Sequence, residues 1–485
     1  MQTLSALFTD FYELTMAQGD WLKKKNRHAV FEMFFRRNPF GGGFSVFAGL
    51  ETLLDKIKTF TFSSTDIEYL KGLNFFDDDF LNYLKDFKFA GDLYALDEGS
   101  VIFPQEPLIR VSGNLIECQI LEGLILNTIN FQSLIATKTA RVKLAAGNGG
   151  VMEFGLRRAQ GADGALSASR ASFIGGADGT SNVLAGKEFG IKVMGTMAHS
   201  WVMSFASEED AFRAYAEIFP KHPVFLIDTY DTLKSGIVNA IKVGLEVTKR
   251  GGNFGVRLDS GDMYYLSKRV REKLDAEGLT KATITVSNDL DEEIISTLTS
   301  QSAPINSWGV GTKMVTGGND SAFTGVYKLI ALENEKGEFF PTIKFSDNPE
   351  KTTTPGVKQI WRIKDKGGSS IADILAICDP QNPSKSETLK CGEKHMFWHH
   401  TADYRHFSQT LEAPPQQLLK KRIEGGKQIS VNPALGEIQA FCKKELESFD
   451  VSYKRLLNPH IYKVSITSEV RSLKLSLIKS FLGDL

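Results

Sequence analysis

The strongest constraint on the fold of this 485-residue chain is a series of short apolar segments between about residues 150 and 310. Most are followed by stretches of helical length, such as residues 262–277, where apolar residues recur at helical spacing between Lys, Arg and Glu. Strands that alternate with helices favour a parallel sheet built from βα units. The apolar segments are residues 151–156, 191–195, 223–227, 254–256, 282–286 and 307–310.

Charged and hydroxyl side chains follow these segments at the positions where the predicted strands end. Examples are Arg157 after the first segment, Asp228 after the third and Arg257 after the fourth. A (β/α) barrel has this polarity, because its active site is built at the C-terminal ends of the strands. Polar residues also end buried strands for purely structural reasons, but the recurrence over six segments favours the barrel. We therefore predict an α/β fold with a barrel over residues 141–345.

The two remaining parts of the chain have different patterns. Residues 1–140 contain short aromatic-rich segments at 30–35 and 44–47 with a Gly-rich turn between them, which predicts an α+β domain. Residues 346–485 are richer in Pro and Lys, show weaker periodicity and end in a predicted helix over 469–481. We expect this C-terminal region to pack on the other two.

The charge balance argues against a nucleic-acid-binding protein. There are 57 Lys and Arg against 58 Asp and Glu, a net charge of −1, whereas such proteins normally carry a basic excess or stripe. The N-terminus lacks a basic segment followed by an apolar one, and no apolar run has transmembrane length. Four scattered cysteines are typical of a reduced compartment. These features predict a cytoplasmic protein without a membrane or nucleic-acid partner.

His199 is the first candidate for chemistry. It follows a predicted strand, with Thr196 and Ser200 nearby. An imidazole in this position can act as a general base or as a nucleophile that accepts a phosphoryl group. A lone histidine is also often a hydrogen-bonded structural residue, and that alternative stays open at this point.

Arginines and glycine-rich turns at the same predicted edge suggest an anionic ligand. Arg157, Arg158, Arg170 and Arg257 have the geometry to bind carboxylate or phosphate, although nearby Asp residues are alternative partners. A rim with both Arg and Asp suits a phosphate ligand that carries Mg²⁺. The Gly-rich loops at 175–176, 179–182, 309–312 and 317–318 have backbone N–H groups that can cradle phosphate. Neither a P-loop nor a dinucleotide fingerprint occurs.

A histidine-rich stretch near the C-terminus raises the alternative of a metal site. On a helix, Cys391, His395 and His399 would share one face and could bind zinc, with His400 and His406 close in sequence. Only one thiol is present and aromatic residues interrupt the pattern, so a surface or packing cluster is favoured.

Taken together, these motifs resemble those of the nicotinate phosphoribosyltransferase family. The resemblance spans nearly the whole chain and is densest from about 150 to 330, while residues 390–430 fit the family pattern poorly. The stretches that carry it are residues 8–16, 34–43, 153–160, 175–182, 195–201, 228–231, 256–262 and 309–312, with a weaker echo at 458–462.

The resemblance implies a type II phosphoribosyltransferase: an irregular α/β barrel, an N-terminal α/β sandwich and a C-terminal extension, acting as a homodimer with shared active sites. It implies phosphoribosyl transfer from phosphoribosyl pyrophosphate to nicotinate as the first step of NAD salvage from nicotinate, with Mg²⁺ and with coupled ATP hydrolysis through a phosphorylated His199. Tyr12 of the other subunit would stack on the pyridine ring, and Thr196 and Arg257 would contact nicotinate. Arg157, Gly311 and Thr312 would bind the ribose phosphate and pyrophosphate.

Three alternative functions differ in chemistry. A nicotinamide phosphoribosyltransferase would share the architecture, but an arginine at the ring site favours the acid over the neutral amide. An aldolase-like barrel would need a Schiff-base lysine, and Lys313 is the only obvious one at a predicted strand end. A non-catalytic scaffold would show no phosphoribosyl transfer.

Overall fold

The computed structural model describes residues 4–346, 348, 351–379, 383–402 and 404–482. In chain order the helices are α1 (Phe11–Leu22), α2 (Leu50–Ile57), α3 (Ser64–Gly72), α4 (Asp78–Lys85), α5 (Leu115–Ile120), α6 (Glu122–Ala146), α7 (Gly161–Ile174), α8 (Val183–Phe189), α9 (His199–Met203), α10 (Glu208–Ile218), α11 (Ile237–Lys249), α12 (Met263–Ala276), α13 (Glu292–Ser300), α14 (Thr312–Thr316), α15 (Leu435–Glu447) and α16 (Ser468–Leu482). The strands are β1 (His28–Phe35), β2 (Ser45–Val46), β3 (Asp92–Ala95), β4 (Val101–Ile102), β5 (Ile109–Asn114), β6 (Gly150–Glu153), β7 (Gly179–Thr180), β8 (Val224–Leu226), β9 (Gly255–Leu258), β10 (Thr283–Ser287), β11 (Ser307–Val310), β12 (Gly325–Glu333), β13 (Phe339–Pro341), β14 (Lys358–Lys364), β15 (Ser370–Ile377), β16 (Lys394–His399), β17 (His406–Thr410), β18 (Gln416–Gln417), β19 (Lys420–Glu424), β20 (Lys427–Gln428) and β21 (Lys463–Ile466).

The chain forms two compact units. Residues Ile135–Ser321 make one unit, which we call the barrel unit; the described residues up to Leu134 and from Ala322 onward make the other, the terminal unit. The two ends of the chain share a unit because β12 pairs antiparallel with β1 along its length. The three-domain division at 1–140, 141–345 and 346–485 stays a prediction.

The barrel unit is built on a six-stranded parallel sheet in the order β7-β6-β11-β10-β9-β8. Helices follow the strands, and both faces of the sheet are buried against apolar residues such as Val256, Ile284 and Val310. Among the described residues no ladder joins β7 to β8, so the sheet is an open arc, an irregular form of the (β/α) barrel. The predicted α/β class is confirmed.

Five of the six predicted strands are present, and the prediction of a strand at 191–195 is wrong. That segment makes a single bridge, from Val193 to Thr180. The edge strand is instead β7, which the sequence suggested was a phosphate loop. Glycine at position 179 allows this close approach, because a Cβ there would lie 2.6 Å from the carbonyl oxygen of Lys192.

Aspartates fix the starts of the helices that follow the strands. Asp262 accepts a hydrogen bond from the backbone N–H of Tyr265 at 3.0 Å and caps α12, and Asp291 caps α13 in the same way. Such caps satisfy the free N–H groups of a first helical turn. Asp262 is therefore a helix cap rather than a partner for the site arginines.

The terminal unit contains two large sheets. A seven-stranded sheet has the order β13-β12-β1-β5-β3-β19-β20, and a six-stranded sheet has the order β17-β16-β21-β15-β14-β18. Apolar residues of both sheets, among them Phe31, Ile109, Leu375 and Ile466, share one core. The six-stranded sheet also contributes to a second cluster, which includes Ile374 and Phe397. The predicted strand at 30–35 and helix at 469–481 are confirmed as β1 and α16. The C-terminal region has more strands than its weak periodicity suggested, because β14 and β15 are buried on both faces and therefore lack the alternation of a half-exposed strand.

The histidine-rich stretch is not helical. His395 and His399 lie on strand β16, so the spacing that would align them with Cys391 on a helix does not apply. No group of three or more His, Cys, Asp or Glu suited to a metal ion occurs among the described residues. In the same described part of the chain, no helix combines the length and apolarity needed to cross a membrane.

Candidate functional site

The C-terminal ends of the parallel strands in the barrel unit surround a cavity of about 400 Å³. Its lining includes several charged side chains and five of the seven predicted site residues. The lining residues are Phe154, Arg157, Arg158, Ser181, Gly195, Thr196, Met197, Ala198, Arg257, Asp259, Ser287, Asn288, Asp289, Gly309, Gly311 and Thr312. The position agrees with the rule that barrel enzymes work at this end of the sheet.

Arg257 is the most desolvated cation of this cavity. It lies near the end of β9 and its Nη1 donates a hydrogen bond to Thr196 Oγ1, while its buried Nε has no hydrogen-bond partner among the described residues. Burial lowers the pKa of Arg257; Asp259 and Asp228 oppose this effect and Arg157 adds to it. A desolvated guanidinium that lines a cavity is suited to an anionic ligand.

Two aspartates connect the ends of three neighbouring strands. Asp228, after β8, accepts hydrogen bonds from the backbone N–H of Asp259 at 3.0 Å and from Ser260 Oγ at 2.6 Å. Asp259, after β9, accepts a short hydrogen bond from Ser287 Oγ at the end of β10. The second oxygen of Asp228 is buried and has no hydrogen-bond partner in the described part of the chain.

His199 is the first residue of α9, next to this aspartate pair. Its Nδ1 lies 3.2 Å from Thr229 Oγ1, and its Nε2 lies 3.7 Å from Asp259 Oδ2. The side chain is 41% exposed, so a solute can reach the imidazole. A carboxylate beside an imidazole stabilises the cationic ring and orients it.

Glu153 is a residue whose function the sequence did not predict. It ends β6, is buried, and accepts hydrogen bonds from Ser169 Oγ at 2.9 Å, from Thr180 Oγ1 at 2.5 Å and from the backbone N–H of Gly155. The bond to Gly155 fixes the turn that carries Arg157. A glutamate directly after an apolar strand was the available signal.

Backbone conformation also separates this cavity from an ordinary strand end. Asn288 and Asp289 have φ values of 84° and 28°, which side-chain-bearing residues rarely adopt. Such conformations cost free energy and concentrate at functional sites. On the neighbouring strand β11, a Cβ on Gly309 would lie 2.6 Å from the ring of Phe154, so glycine allows this strand to approach the ring. Sequence periodicity carries no signal for either feature.

The other predicted residues are distributed unevenly. Arg158 lines the cavity, whereas Arg170 is buried within α7 and does not line it.

Tyr12 belongs to the terminal unit, on α1, with its side chain 50% exposed. Burial and hydrogen bonding to Glu13 raise the pKa of Tyr12, and burial together with the charge of Glu122 raises the pKa of Glu13 to about 7.

Comparison with known proteins identifies the family. Profiles of the nicotinate phosphoribosyltransferase N-terminal domain, family and C-terminal domain match residues 7–130, 150–383 and 357–474. Nicotinate phosphoribosyltransferase of Bacillus subtilis is 41% identical over 475 residues, covering 98% of this chain and 95% of the relative. The chain belongs to the nicotinate phosphoribosyltransferase family. The resemblance predicted from the motifs is therefore confirmed.

Further members of the family agree in sequence and in fold. The nicotinate phosphoribosyltransferase of Caenorhabditis elegans is 37% identical, with 96% of this chain and 92% of the relative covered. The crystal structure of human nicotinic acid phosphoribosyltransferase superposes with a TM-score of 0.83 at 31% identity, covering 97% of this chain and 99% of that one. The architecture described above is thus the architecture of the family.

Proposed function

We propose that this chain is a nicotinate phosphoribosyltransferase that couples phosphoribosyl transfer to ATP hydrolysis and supplies NAD biosynthesis. The observation that carries the proposal is the desolvated guanidinium of Arg257, held by Thr196 in a cavity that also presents Arg157. The family membership supports the reaction class.

In the proposed reaction the bond between the anomeric carbon and the pyrophosphate oxygen breaks. The pyrophosphate leaves with the electron pair, and the pyridine nitrogen of nicotinate forms the new bond to that carbon. The transition state has positive charge on the ribose and growing negative charge on the leaving group. Preorganised cations and backbone donors stabilise that charge most effectively. Arg157, Gly311 and Thr312 line the cavity and are the proposed donors to the phosphates.

The second substrate is an anionic aromatic ring. Arg257 would bind the nicotinate carboxylate, and its hydrogen bond to Thr196 holds the guanidinium in place. Nicotinamide has no charge to neutralise this arginine, so the site favours the acid over the amide. Tyr12, exposed on α1, would stack on the ring from the second subunit of a homodimer.

The chemistry of the donor set fits Mg²⁺. Asp228 has a buried carboxylate oxygen without a hydrogen-bond partner among the described residues, and the Asp259 carboxylate lies at the same rim. Mg²⁺ binds through one or two carboxylates together with phosphate oxygens and waters. When bound, the ion would neutralise charge on the departing pyrophosphate.

His199 is the proposed link to ATP. Its exposed imidazole would accept the γ-phosphoryl group with release of ADP, and water would later hydrolyse the phosphoramidate to phosphate. Asp259, 3.7 Å from Nε2, would orient the ring and stabilise its cationic form. A cytoplasmic location agrees with these substrates and is part of the proposal.

Pyrophosphate release is the deciding measurement. The purified chain is incubated with nicotinate, phosphoribosyl pyrophosphate and Mg²⁺, with and without ATP, and a parallel reaction contains nicotinamide. We expect release with nicotinate, stimulation by ATP and much weaker turnover of nicotinamide. Absence of release under all conditions would favour the scaffold alternative, and a preference for nicotinamide would favour the neighbouring activity.

A further inference from the structure

A second cavity, of about 930 Å³, lies in the terminal unit. Its described walls come from residues 399–400 and 404–407, from strand β21 and from residues 455–462 before that strand. This region lies within residues 357–474, which the profile of the family's C-terminal domain matches, and the proposed function leaves it unused. All of its lining residues belong to the terminal unit, and it shares none of them with the cavity of the barrel unit.

The permanently charged side chains among the described lining residues of this cavity are all positive. Arg405, Arg455 and Lys463 contribute three permanent cations, and no aspartate or glutamate lines it; Asp403 lies outside the described residues. The chain as a whole has a net charge of −1, so this concentration is local. Clefts lined by one sign of charge attract ligands of the other sign.

These cations make no ion pair within the described part of the chain. Lys463 Nζ lies 4.7 Å from the ring centre of Phe407, and the Arg405 guanidinium lies 5.6 Å from that of Tyr404. Arg455 Nε donates only to the backbone carbonyl of Ser452, at 3.3 Å. Surface arginines and lysines commonly pair with carboxylates or are fully solvated. These three cations instead surround a concave surface that has aromatic side chains in its walls.

The histidines add hydrogen-bond donors to the same wall. His399 Nδ1 accepts the backbone N–H groups of Thr401 and Ala402, both at 3.2 Å. The neutral ring therefore carries its proton on Nε2, which remains a donor. His400 stacks on His399 with ring centres 4.5 Å apart. Burial, followed by the charges of Arg405 and Lys474, lowers the pKa of His399.

We propose that this cavity is a binding site for a small phosphorylated molecule, with Arg405, Arg455 and Lys463 contacting phosphate oxygens. Several converging cations favour a ligand with more than one negative charge, which phosphate provides. The volume suits a ligand as large as a nucleoside phosphate, and Tyr404 and Phe407 provide rings for a base to stack on. The site is additional to the proposed catalytic function and does not depend on it.

Direct binding measurements test the site without relying on turnover. Isothermal titration of the full chain with pyrophosphate, and separately with ADP, is performed without nicotinate or phosphoribosyl pyrophosphate. The test variant is Arg405→Gln/Lys463→Gln, in which both altered side chains are exposed. The control is Lys366→Gln/Lys390→Gln, which removes the same charge from exposed positions outside the cavity.

We expect two classes of site in the wild type and the control. The test variant should lose one class, with affinity falling at least about tenfold, the effect of one charged hydrogen bond. Arg157→Gln should weaken the other class and leave this one intact, which separates failure of this proposal from failure of the proposed function. Tighter binding of ADP than of pyrophosphate would identify the ligand class as a nucleotide. Equal binding of the two would identify it as a phosphate compound without a base.

Identical binding by wild type and test variant would overturn the proposal. The single variants Arg405→Gln and Lys463→Gln, checked by their unfolding temperatures, keep the test valid if the double variant folds poorly. Each should weaken binding and reduce its dependence on salt concentration, because fewer charges contact the ligand. Unchanged affinity and unchanged salt dependence in both single variants would also contradict the proposed binding site.

Discussion

Arg257 illustrates at the scale of one residue how burial and charge create a binding group. Its guanidinium has lost water without gaining a full set of hydrogen bonds, since Nη1 contacts Thr196 and Nε contacts no described acceptor. A desolvated guanidinium that lines a cavity gains free energy when an anion supplies the contacts that water no longer makes. This is the physical basis of the proposed recognition of a carboxylate at this position.

Replacement of Arg257 should therefore affect nicotinate more than nicotinamide. Arg257→Gln should lower kcat/KM for nicotinate by about 10- to 150-fold, the equivalent of roughly 1.5–3 kcal/mol for a charged hydrogen bond. Arg257→Lys should recover part of the loss, because it keeps the charge but not the forked geometry. Steady-state kinetics with both substrates measure the effect. Equal losses for both would assign Arg257 to the phosphoribosyl donor or to folding.

His199 gives a second prediction at this scale. Incubation with ATP and Mg²⁺ should leave an acid-labile, base-stable phosphate on the protein, and His199→Asn should abolish both this label and the stimulation by ATP. Asparagine keeps a polar side chain but has no nucleophilic ring nitrogen. The exposed His222→Asn variant is a matched control and should be labelled like the wild type. Full ATP stimulation in His199→Asn would contradict the phosphohistidine.

At the scale of elements, parallel strands bring distant residues to one edge of the sheet. Glu153 at the end of β6 joins the start of the next turn, helix α7 and strand β7 through one carboxylate. It orders the turn carrying Arg157 without lining the cavity itself. Glu153 is thus a positioning residue for the candidate site.

The variant Glu153→Gln should destabilise the chain and reduce activity. Both carboxylate oxygens of Glu153 accept hydrogen bonds. The glutamine amide keeps one acceptor oxygen and replaces the other with an NH₂ donor, so at least one hydrogen bond is lost. We expect a loss of roughly 1–3 kcal/mol in the free energy of unfolding, measured by urea denaturation. The same variant should have a higher KM for phosphoribosyl pyrophosphate than the wild type. Glu188→Gln, at an exposed position on α8, is the control and should change neither; equal behaviour of the two variants would contradict this role.

A second element-scale prediction concerns pH. The half-buried His400 lies beside β21 with its Nδ1 3.4 Å from the Val464 carbonyl oxygen, and desolvation lowers its pKa from 6.5 to about 4. As pH falls, the unfolded chain takes up this proton before the folded one does. Stability from the neutral ring is therefore complete above about pH 6.5 and declines as pH falls towards 4, by roughly 2–3 kcal/mol.

Unfolding temperatures measured between about pH 7.5 and about pH 4.5 test this effect. The wild type should lose more stability on acidification than His400→Gln, which has no proton to gain but can still donate to Val464. His406→Gln, altered at an exposed position on β17, should follow the wild type. Parallel curves for wild type and His400→Gln would refute the assignment.

At the scale of the whole molecule, one surface of the terminal unit is unusually apolar. Phe8, Phe11, Tyr12 and Met16 on and before α1 are each at least two-fifths exposed, as is Phe75, which contacts Phe11. Contiguous exposed apolar patches commonly mark interfaces between subunits. This surface fits the proposed homodimer, in which Tyr12 enters the site of the second subunit.

Mixing two inactive variants should restore activity if the sites are shared. In a hybrid of Tyr12→Ala and His199→Asn subunits, one site contains the intact Tyr12 of one chain and the intact His199 of the other. Co-expression with two affinity tags isolates these hybrids, and ATP-dependent pyrophosphate release should recover towards half of the wild-type value. Each variant alone is the control. A fully active monomer, or hybrids as inactive as their parents, would exclude shared sites.

The sequence by itself determined the class of fold and most of the candidate site. Alternating apolar segments and amphipathic stretches predicted the parallel strands, and Arg157, Thr196, Arg257, Gly311 and Thr312 were assigned from the resemblance and from their places after those segments. All five line one cavity. This much was predictable because the period of apolar residues encodes element type, and parallel topology places all strand ends at one edge.

Only the tertiary structure decided which segments pair and which backbone conformations result. It made Gly179–Thr180 the edge strand instead of residues 191–195, and joined β12 to β1 across more than half of the sequence. It also fixed the positive φ angles of Asn288 and Asp289 and gathered Arg405, Arg455 and Lys463 around one cavity. These features depend on contacts between residues far apart in the chain, and local periodicity contains no record of such contacts.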